Sequence, residues 1–295
     1  MCGGLSAFAM EYVWEEVTLT FSRVPMFPFF DIAHYLVSVM TLRQQHGALA
    51  VAWQNPLVSW FSAMMYCFGG GILSAILLGE APVKFLENNT NVLLASSIWY
   101  IVFYCPYDIV SECYRFPPVK LLATGMKEVT RTWKIVGGIT HASSNYTDAW
   151  MVLIAVGWAR GAGSNAIINL EQFLRGTWKP ETSKSLKMSY PVKISLVGAV
   201  LFTLQHAGKL PMEKHSLMFC YTFFIVVTKI AMMLTESESS PLTPFEIMLG
   251  RMLFGFWQSD TSSVPCKSSF NGTGTRSQHY STNVETKRRH NKKTE

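Results

Sequence analysis

The segment 121–140 is apolar apart from one charged run, Lys127-Glu128-Val129-Thr130-Arg131-Thr132-Trp133-Lys134. On an α-helix Lys127 and Arg131 are four residues apart and Lys134 follows three later, so the three cations share one face. Each cation costs about 2.5–3.5 kcal/mol at membrane depth unless an anion pairs with it. Glu128 is adjacent to Lys127 and points about 100° away from it. We therefore expect the anionic partner to come from outside this helix.

Three partners are consistent with the pattern: a permeating ion, a carboxylate from another helix such as Glu171, or a phosphorylated lipid headgroup. Two simpler interpretations stay open, because long basic side chains can reach the membrane interface by snorkelling, or can take part in an internal ion pair.

The composition places this segment in a multi-pass membrane protein. The 295 residues are 49% hydrophobic and only 15% charged, and the mean hydropathy is +0.20. The apolar runs predict seven spans of about 20 residues each. They cover residues 17–42, 56–78, 91–111, 119–139, 150–170, 192–206 and 217–234. The fold expected is all-α, with a channel or transport domain over 17–234, a short N-terminus at 1–16 and a polar, basic, largely disordered tail at 236–295.

Lysine and arginine positions orient the chain. With a lumenal N-terminus and seven alternating spans, most lysines and arginines outside the spans fall on the cytosolic side, as the positive-inside rule requires. The tail is then cytosolic. Lys292 and Lys293 stand fourth and third from the C-terminus. This placement is typical of a dilysine retrieval signal for the endoplasmic reticulum, although a basic terminus also occurs by chance.

Glycine clusters occur at matching places in the second and fifth spans. They are Gly69, Gly70 and Gly71 in the second span, and Gly157, Gly161 and Gly163 with Arg160 in the fifth. Glycine weakens a helix, so these positions predict helix breaks that line a polar pathway. Because three spans is an odd number, two such repeats have to be inverted, over about 17–113 and 117–208, with a seventh helix at about 216–235. Close helix packing through small residues is the alternative.

Patterns for other kinds of site are missing from the sequence. The six cysteines show no CxxC and no Cys/His metal spacing. We find no Ser/His/Asp order, no Gly-rich phosphate loop and no nucleic-acid module, so we predict neither an enzyme nor a nucleic-acid partner. Asp31 and His34 are three residues apart, which favours a hydrogen-bonded pair over a metal or proton site.

Several ordered motifs occur along the chain. They are Phe30-Asp31-Ile32-Ala33-His34-Tyr35, Cys67-Phe68-Gly69-Gly70-Gly71-Ile72-Leu73, Lys127-Glu128-Val129-Thr130-Arg131, Gly157-Trp158-Ala159-Arg160-Gly161-Ala162-Gly163 and Arg175-Gly176-Thr177-Trp178-Lys179-Pro180-Glu181. Together they resemble the trimeric intracellular cation channels, and among them the type B members. The resemblance covers about residues 27–256.

This resemblance implies a homotrimer in the endoplasmic or sarcoplasmic reticulum membrane with one pore in each seven-helix subunit. The family conducts potassium and supplies counter-ion current during calcium release and uptake. It also implies that phosphatidylinositol 4,5-bisphosphate binds at the pore through Lys127 and Arg131, with Lys134 a weaker candidate. A secondary transporter, or a lipid-binding scaffold that conducts nothing, is the alternative function.

Overall fold

The computed structural model describes residues 2–174 and 190–235, and this part of the chain is helical with no strand. The predicted all-α class is confirmed. The helices are α1 Cys2–Ser22, α2 Phe29–Arg43, α3 Ala48–Gln54, α4 Pro56–Leu77, α5 Asn89–Tyr104, α6 Ile109–Arg115, α7 Pro117–Asn145, α8 Trp150–Leu174, α9 Tyr190–His206 and α10 Lys214–Leu234. The predicted tail at 236–295, with Lys292 and Lys293, lies outside the described residues.

Three of the described helices are long and apolar enough to cross a membrane, namely α4, residues 150–168 of α8, and α10. A fourth arises if α5 and the segment 106–115 form one span, although they are bent by 99°. Among the other predicted spans, α2 and α7 fail this test of length and apolar character for physical reasons. Helix α2 has 15 residues and is about 22 Å long, below the roughly 30 Å of a bilayer core. Helix α7 carries the charged run. The number of seven spans therefore stays a prediction.

The first predicted apolar run is not one helix. Helix α1 ends at Ser22, and α2 begins at Phe29 after a connection that contains Pro25 and Pro28. Proline lacks the backbone N–H and interrupts a helix that reaches it from its N-terminal side. Helix α1 instead packs on α10, and the Phe21 ring meets Trp133 of α7 at 5.0 Å between centroids.

Two apolar clusters form the core, one in each half of the chain. The first includes Val39, Met64 and Val102 from α2, α4 and α5. The second includes Ile135 and Ile194, with further side chains from α7 to α10. Helices α4 and α8 pack against each other most extensively among the described pairs. The two halves therefore meet along these glycine-bearing helices.

The predicted helix breaks are wrong. Helices α4 and α8 run continuously through all six glycines, Gly69, Gly70, Gly71, Gly157, Gly161 and Gly163. A Cβ added at Gly70 would lie 2.6 Å from the Arg160 carbonyl oxygen, and one at Gly163 would lie 3.0 Å from the Gly70 Cα. Glycine is needed here because the two backbones touch. The alternative of small-residue packing is the one that the structure shows.

The remaining glycines divide between packing and cavity walls. A Cβ at Gly157 would meet Ile139 at 2.8 Å, and one at Gly161 would meet Ile135 at 2.7 Å. Both glycines therefore allow α7 to pack closely against α8. Gly71 has nothing within 4 Å of an added Cβ, and it lines a cavity. Gly161 lines a second cavity.

Candidate functional site

Two cavities enter the described helical bundle from opposite ends. The Lys120 cavity, of about 400 Å³, is bounded on α7 by residues from Lys120 to Lys134. The Glu80 cavity, of about 770 Å³, is bounded by the connection between α4 and α5 and reaches α7 only at Lys134. Both linings include Lys134 and Arg160. These two cations therefore stand where the cavities meet.

The two cavities differ in charge. The Lys120 cavity has six lysine and arginine residues, and Glu128 is the one carboxylate among its described lining residues. The six are Lys120, Lys127, Arg131, Lys134, Arg160 and Lys229. The Glu80 cavity instead has three carboxylates, those of Asp31, Glu80 and Glu87, beside three cations. The Lys120 cavity therefore favours anions, and the Glu80 cavity is nearly balanced.

The predicted cationic face exists, since Lys127, Arg131 and Lys134 all line the Lys120 cavity. The expectation that their anionic partner comes from outside the helix is wrong for Arg131. Arg131 Nε donates to Glu128 Oε2 at 2.7 Å, and Nη2 donates to Glu128 Oε1 at 3.1 Å. Residues three apart lie about 60° apart on a helix, so the two side chains are neighbours. The candidate partner Glu171 has a side chain outside the described residues.

Arg131 also ties α7 to the next two helices. Its Nη1 donates to the Gly161 carbonyl oxygen of α8 at 2.9 Å and to Ser195 Oγ of α9 at 3.2 Å. Glu128 and Arg131 are 2% and 8% exposed. Its Nη1 also lies 3.4 Å from the Pro191 carbonyl oxygen, so most of the donor capacity of Arg131 is already used within the protein.

The two lysines of the face contact α2. Lys127 Nζ donates to Ser38 Oγ at 3.2 Å, and Lys134 Nζ lies 2.6 Å from His34 Nε2. A cation that the sequence did not connect with this face is Lys229 of α10, whose Nζ lies 5.9 Å from the Tyr190 ring centroid. Lys229 enters the lining through tertiary packing, and no local pattern near it signals this.

The expected Asp31–His34 pair is not what the structure shows. His34 Nε2 lies 3.1 Å from the Cys67 carbonyl oxygen in addition to its contact with Lys134. Asp31 lines the Glu80 cavity and His34 lines the Lys120 cavity. Within the described residues no group of three or more metal-ligating side chains comes together.

The side chain of Arg160 packs against α7 at Gly138, which has no side chain to fill the space. Its Cγ lies 2.8 Å from the position that a Gly138 Cβ would take, and its Nε donates to Ser74 Oγ at 3.2 Å. The arginine was visible in the sequence as a charge within a glycine cluster. Its position beside Lys134 depends on Gly138, which the sequence did not single out.

A small polar cluster lies at the mouth of the Glu80 cavity. Glu80 Oε1 lies 3.1 Å from Lys84 Nζ and 2.8 Å from His141 Nε2. Hydrogen bonds from Lys84 and from His141 lower the pKa of the half-buried Glu80 carboxyl. Glu80 follows α4 and His141 is on α7, so the contact links two helices at this end of the bundle.

Helices of membrane length around two polar cavities define a multi-pass membrane protein of the class that contains channels and transporters. The TRIC channel family matches residues 45–236. The trimeric intracellular cation channel type B of Bos taurus is 60% identical over 294 residues, covering 97% of this chain and 100% of the relative. The Homo sapiens type B channel is 60% identical over 269 residues, covering 90% of this chain and 92% of the relative.

Solved structures agree with the sequence comparisons. A structure from work on TRIC counter-ion channels in calcium release is 62% identical with a TM-score of 0.72, and the match covers 75% of this chain and 99% of that one. A trimeric intracellular cation channel from C. elegans without Ca²⁺ is 33% identical with a TM-score of 0.72, covering 76% and 97%. The chain belongs to the TRIC channel family, a family of ion channels and not of enzymes, and the resemblance in its motifs is confirmed.

Proposed function

We propose that the chain is a potassium channel that supplies counter-ion current during calcium release and uptake. The observation that carries this proposal is the meeting of two polar cavities from opposite ends at Lys134 and Arg160. On this proposal, a route through the subunit opens at this pair of side chains. A similar structure is described as a counter-ion channel in calcium release, which supports the same role here.

Lys134 and Arg160 form the barrier to cations on this route. A potassium ion 4 Å from one fixed positive charge is repelled by about 4 kcal/mol at an effective dielectric constant of 20. Two such charges make the arrangement non-conducting for cations. Conduction therefore requires that Lys134 and Arg160 move aside or that an anion offsets their charge.

We further propose that phosphatidylinositol 4,5-bisphosphate binds in the Lys120 cavity. Its six basic lining residues with a single described carboxylate suit a headgroup that carries several phosphates. Lys127 is the main candidate contact, because its ammonium group reaches the cavity and has a neutral partner in Ser38. Arg131 contributes less, since Glu128 already holds its guanidinium group. Lys134 remains a weaker contact.

Planar bilayers test the channel proposal against a secondary transporter. Purified protein is expected to give unitary potassium currents. Slow saturable flux without unitary events would indicate a transporter, and binding of the lipid without any flux would indicate a scaffold.

Lipid binding is tested with Lys127→Gln. Loss of one charge-assisted contact worth about 1.5–3 kcal/mol lowers affinity about ten- to a hundredfold. Arg115→Gln is the matched control, because Arg115 is an exposed cation that lines neither cavity. Vesicles containing phosphatidylinositol 4,5-bisphosphate should bind the control like wild type. Equal affinities for both variants would refute the lipid site.

Assembly and location extend the proposal. The names of the relatives support a homotrimer, and closed symmetry is usual for such assemblies. We also propose two inverted repeats, in which α4 and α8 occupy matching places and contact each other closely. We propose that the protein resides in the endoplasmic reticulum, with a lumenal N-terminus and a cytosolic tail. A tag on the tail should be removed by protease added to intact microsomes, and a fully protected tag would reverse this orientation.

Retrieval through the tail has its own test. Replacing Lys292 and Lys293 by Ser is expected to let part of the protein reach later compartments, since the receptor reads both lysines. An unchanged distribution would assign retention to the membrane domain instead.

A further inference from the structure

His34 lies at the point where α2 meets the barrier. Its side chain is buried, and its Nε2 atom has two close neighbours. These are Lys134 Nζ at 2.6 Å and the Cys67 carbonyl oxygen at 3.1 Å. The imidazole ring therefore stands between α7, which carries the barrier lysine, and the backbone of α4.

The protons on these groups decide which of the two contacts is a hydrogen bond. An ammonium group has only donors and a carbonyl oxygen is only an acceptor, while one ring nitrogen cannot donate and accept at once. The contact with Lys134 is the shorter one and involves a charged donor, so it is the stronger of the two. On this ground we assign the ring proton to Nδ1, so that His34 Nε2 accepts from Lys134. A protonated ring would instead place two cations 2.6 Å apart.

Ser38, one turn further along α2, has the same role for Lys127 of α7. Ser38 Oγ donates to the His34 carbonyl oxygen at 2.8 Å and accepts from Lys127 Nζ. His34 and Ser38 are four residues apart on α2, and Lys127 and Lys134 are seven apart on α7. Each pair therefore lies along one face of its helix. Helix α2 thus presents one uncharged acceptor to each lysine.

We propose that His34 is a positioning residue that holds the Lys134 ammonium group in the ion route. This inference rests on the proposed barrier and adds the group that sets where its charge lies. His34 offers the protonated form of Lys134 an uncharged acceptor, so the charge of the ammonium group is held, and not cancelled, at the meeting point of the two cavities. Without this acceptor Lys134 leaves the route more often, and the barrier is lower.

Three variants of the full-length protein in planar bilayers test the inference. His34→Phe keeps a planar ring and removes the acceptor, while His34→Gln keeps an acceptor at the end of a side chain of similar reach. Lys134→Met removes the charge itself. Loss of one charge-assisted hydrogen bond changes a population about ten- to a hundredfold. The ratio of open to closed time is therefore expected to rise at least about tenfold in His34→Phe and to stay near wild type in His34→Gln.

The double variant separates positioning from folding. In a Lys134→Met background, His34→Phe should produce no further change in current, because the group it positions is gone. A full additional effect there would overturn the inference and assign His34 to packing alone. Altered gating in folded His34→Gln trimers would also overturn it, which keeps the test decisive if His34→Phe does not fold.

The outcome of Lys134→Met alone distinguishes this inference from the proposed function. If Lys134→Met raises conduction and His34→Phe does not, the barrier stands and the role of His34 is refuted. If Lys134→Met conducts like wild type, the proposed barrier itself is wrong, and the role of His34 falls with it.

Discussion

Replacing Glu128 by Leu tests whether Arg131 is a structural tie or a free cation. The Glu128 carboxylate accepts hydrogen bonds from both Nε and Nη2 of Arg131, and both residues are nearly inaccessible to solvent. The substitution leaves the guanidinium group inside the bundle with the Gly161 and Pro191 carbonyl oxygens and Ser195 Oγ as its remaining partners. A snorkelling arginine would not respond to this change, because it would have no internal partner to lose.

The expected loss of stability follows from the burial of the pair. Removal of one member of a buried ion pair costs about 3–5 kcal/mol, since an uncompensated charge remains inside. For a domain of this size, 1 kcal/mol lowers the melting temperature by about 2–4 °C, so Tm should fall by about 6–20 °C. The double variant Glu128→Leu with Arg131→Met removes both charges. It should recover most of the loss, because an apolar pair of similar volume replaces the ion pair.

Thermal unfolding of the purified protein in detergent provides the measurement. Glu112 and Arg115 form the matched control, as they have the same spacing along a helix and an N–O distance of 2.6 Å, but both are exposed. Glu112→Leu should change the free energy of unfolding by less than about 1 kcal/mol. Equal melting temperatures for Glu128→Leu and Glu112→Leu would refute the assignment of Arg131 to a stabilising buried ion pair.

Three further predictions concern packing, pH and assembly. Gly70→Ala should destabilise the protein by about 1–3 kcal/mol in thermal unfolding, since the new methyl group meets backbone of α8, whereas Gly71→Ala should not, since its Cβ meets nothing. The lowered pKa of Glu80, caused by hydrogen bonds from Lys84 and His141, contributes stability above the unfolded-state pKa. The difference in Tm between wild type and Glu80→Gln should therefore vanish as pH falls through the lowered pKa, and a constant difference would contradict it. Native mass in detergent should correspond to a trimer, and a stable monomer or dimer would contradict the proposed assembly.

The periodicity of the charged run was enough to predict one face of α7. Lys127, Arg131 and Lys134 all line the same cavity, as the 3.6-residue repeat requires. The same periodicity was also enough to predict that Glu128 pairs with Arg131. Three residues correspond to about 300° around the helix, which leaves the two side chains about 60° apart. The prediction compared Glu128 with Lys127 and so missed its neighbour on the following turn.

The glycine clusters show where sequence reasoning could not decide. A glycine that breaks a helix and a glycine that admits another backbone have the same local sequence. The difference at Gly70 is the Arg160 carbonyl oxygen 2.6 Å from its missing Cβ, which belongs to another helix. The contact between His34 and Lys134 likewise joins residues 100 apart in the chain. Such contacts follow from tertiary packing and leave no periodic signal.

Continuous helices at the glycines affect how the proposed barrier can open. Gly70 brings the backbone of α8 against α4, and Gly138 makes room on α7 for the side chain of Arg160. Close helix packing, and not an unwound segment, therefore places Arg160 beside Lys134 where the two cavities meet. Refolding of a broken helix is then not needed to open the proposed route. We expect opening to come from movement of the two side chains, because the close backbone contact at Gly70 allows the helices little independent motion.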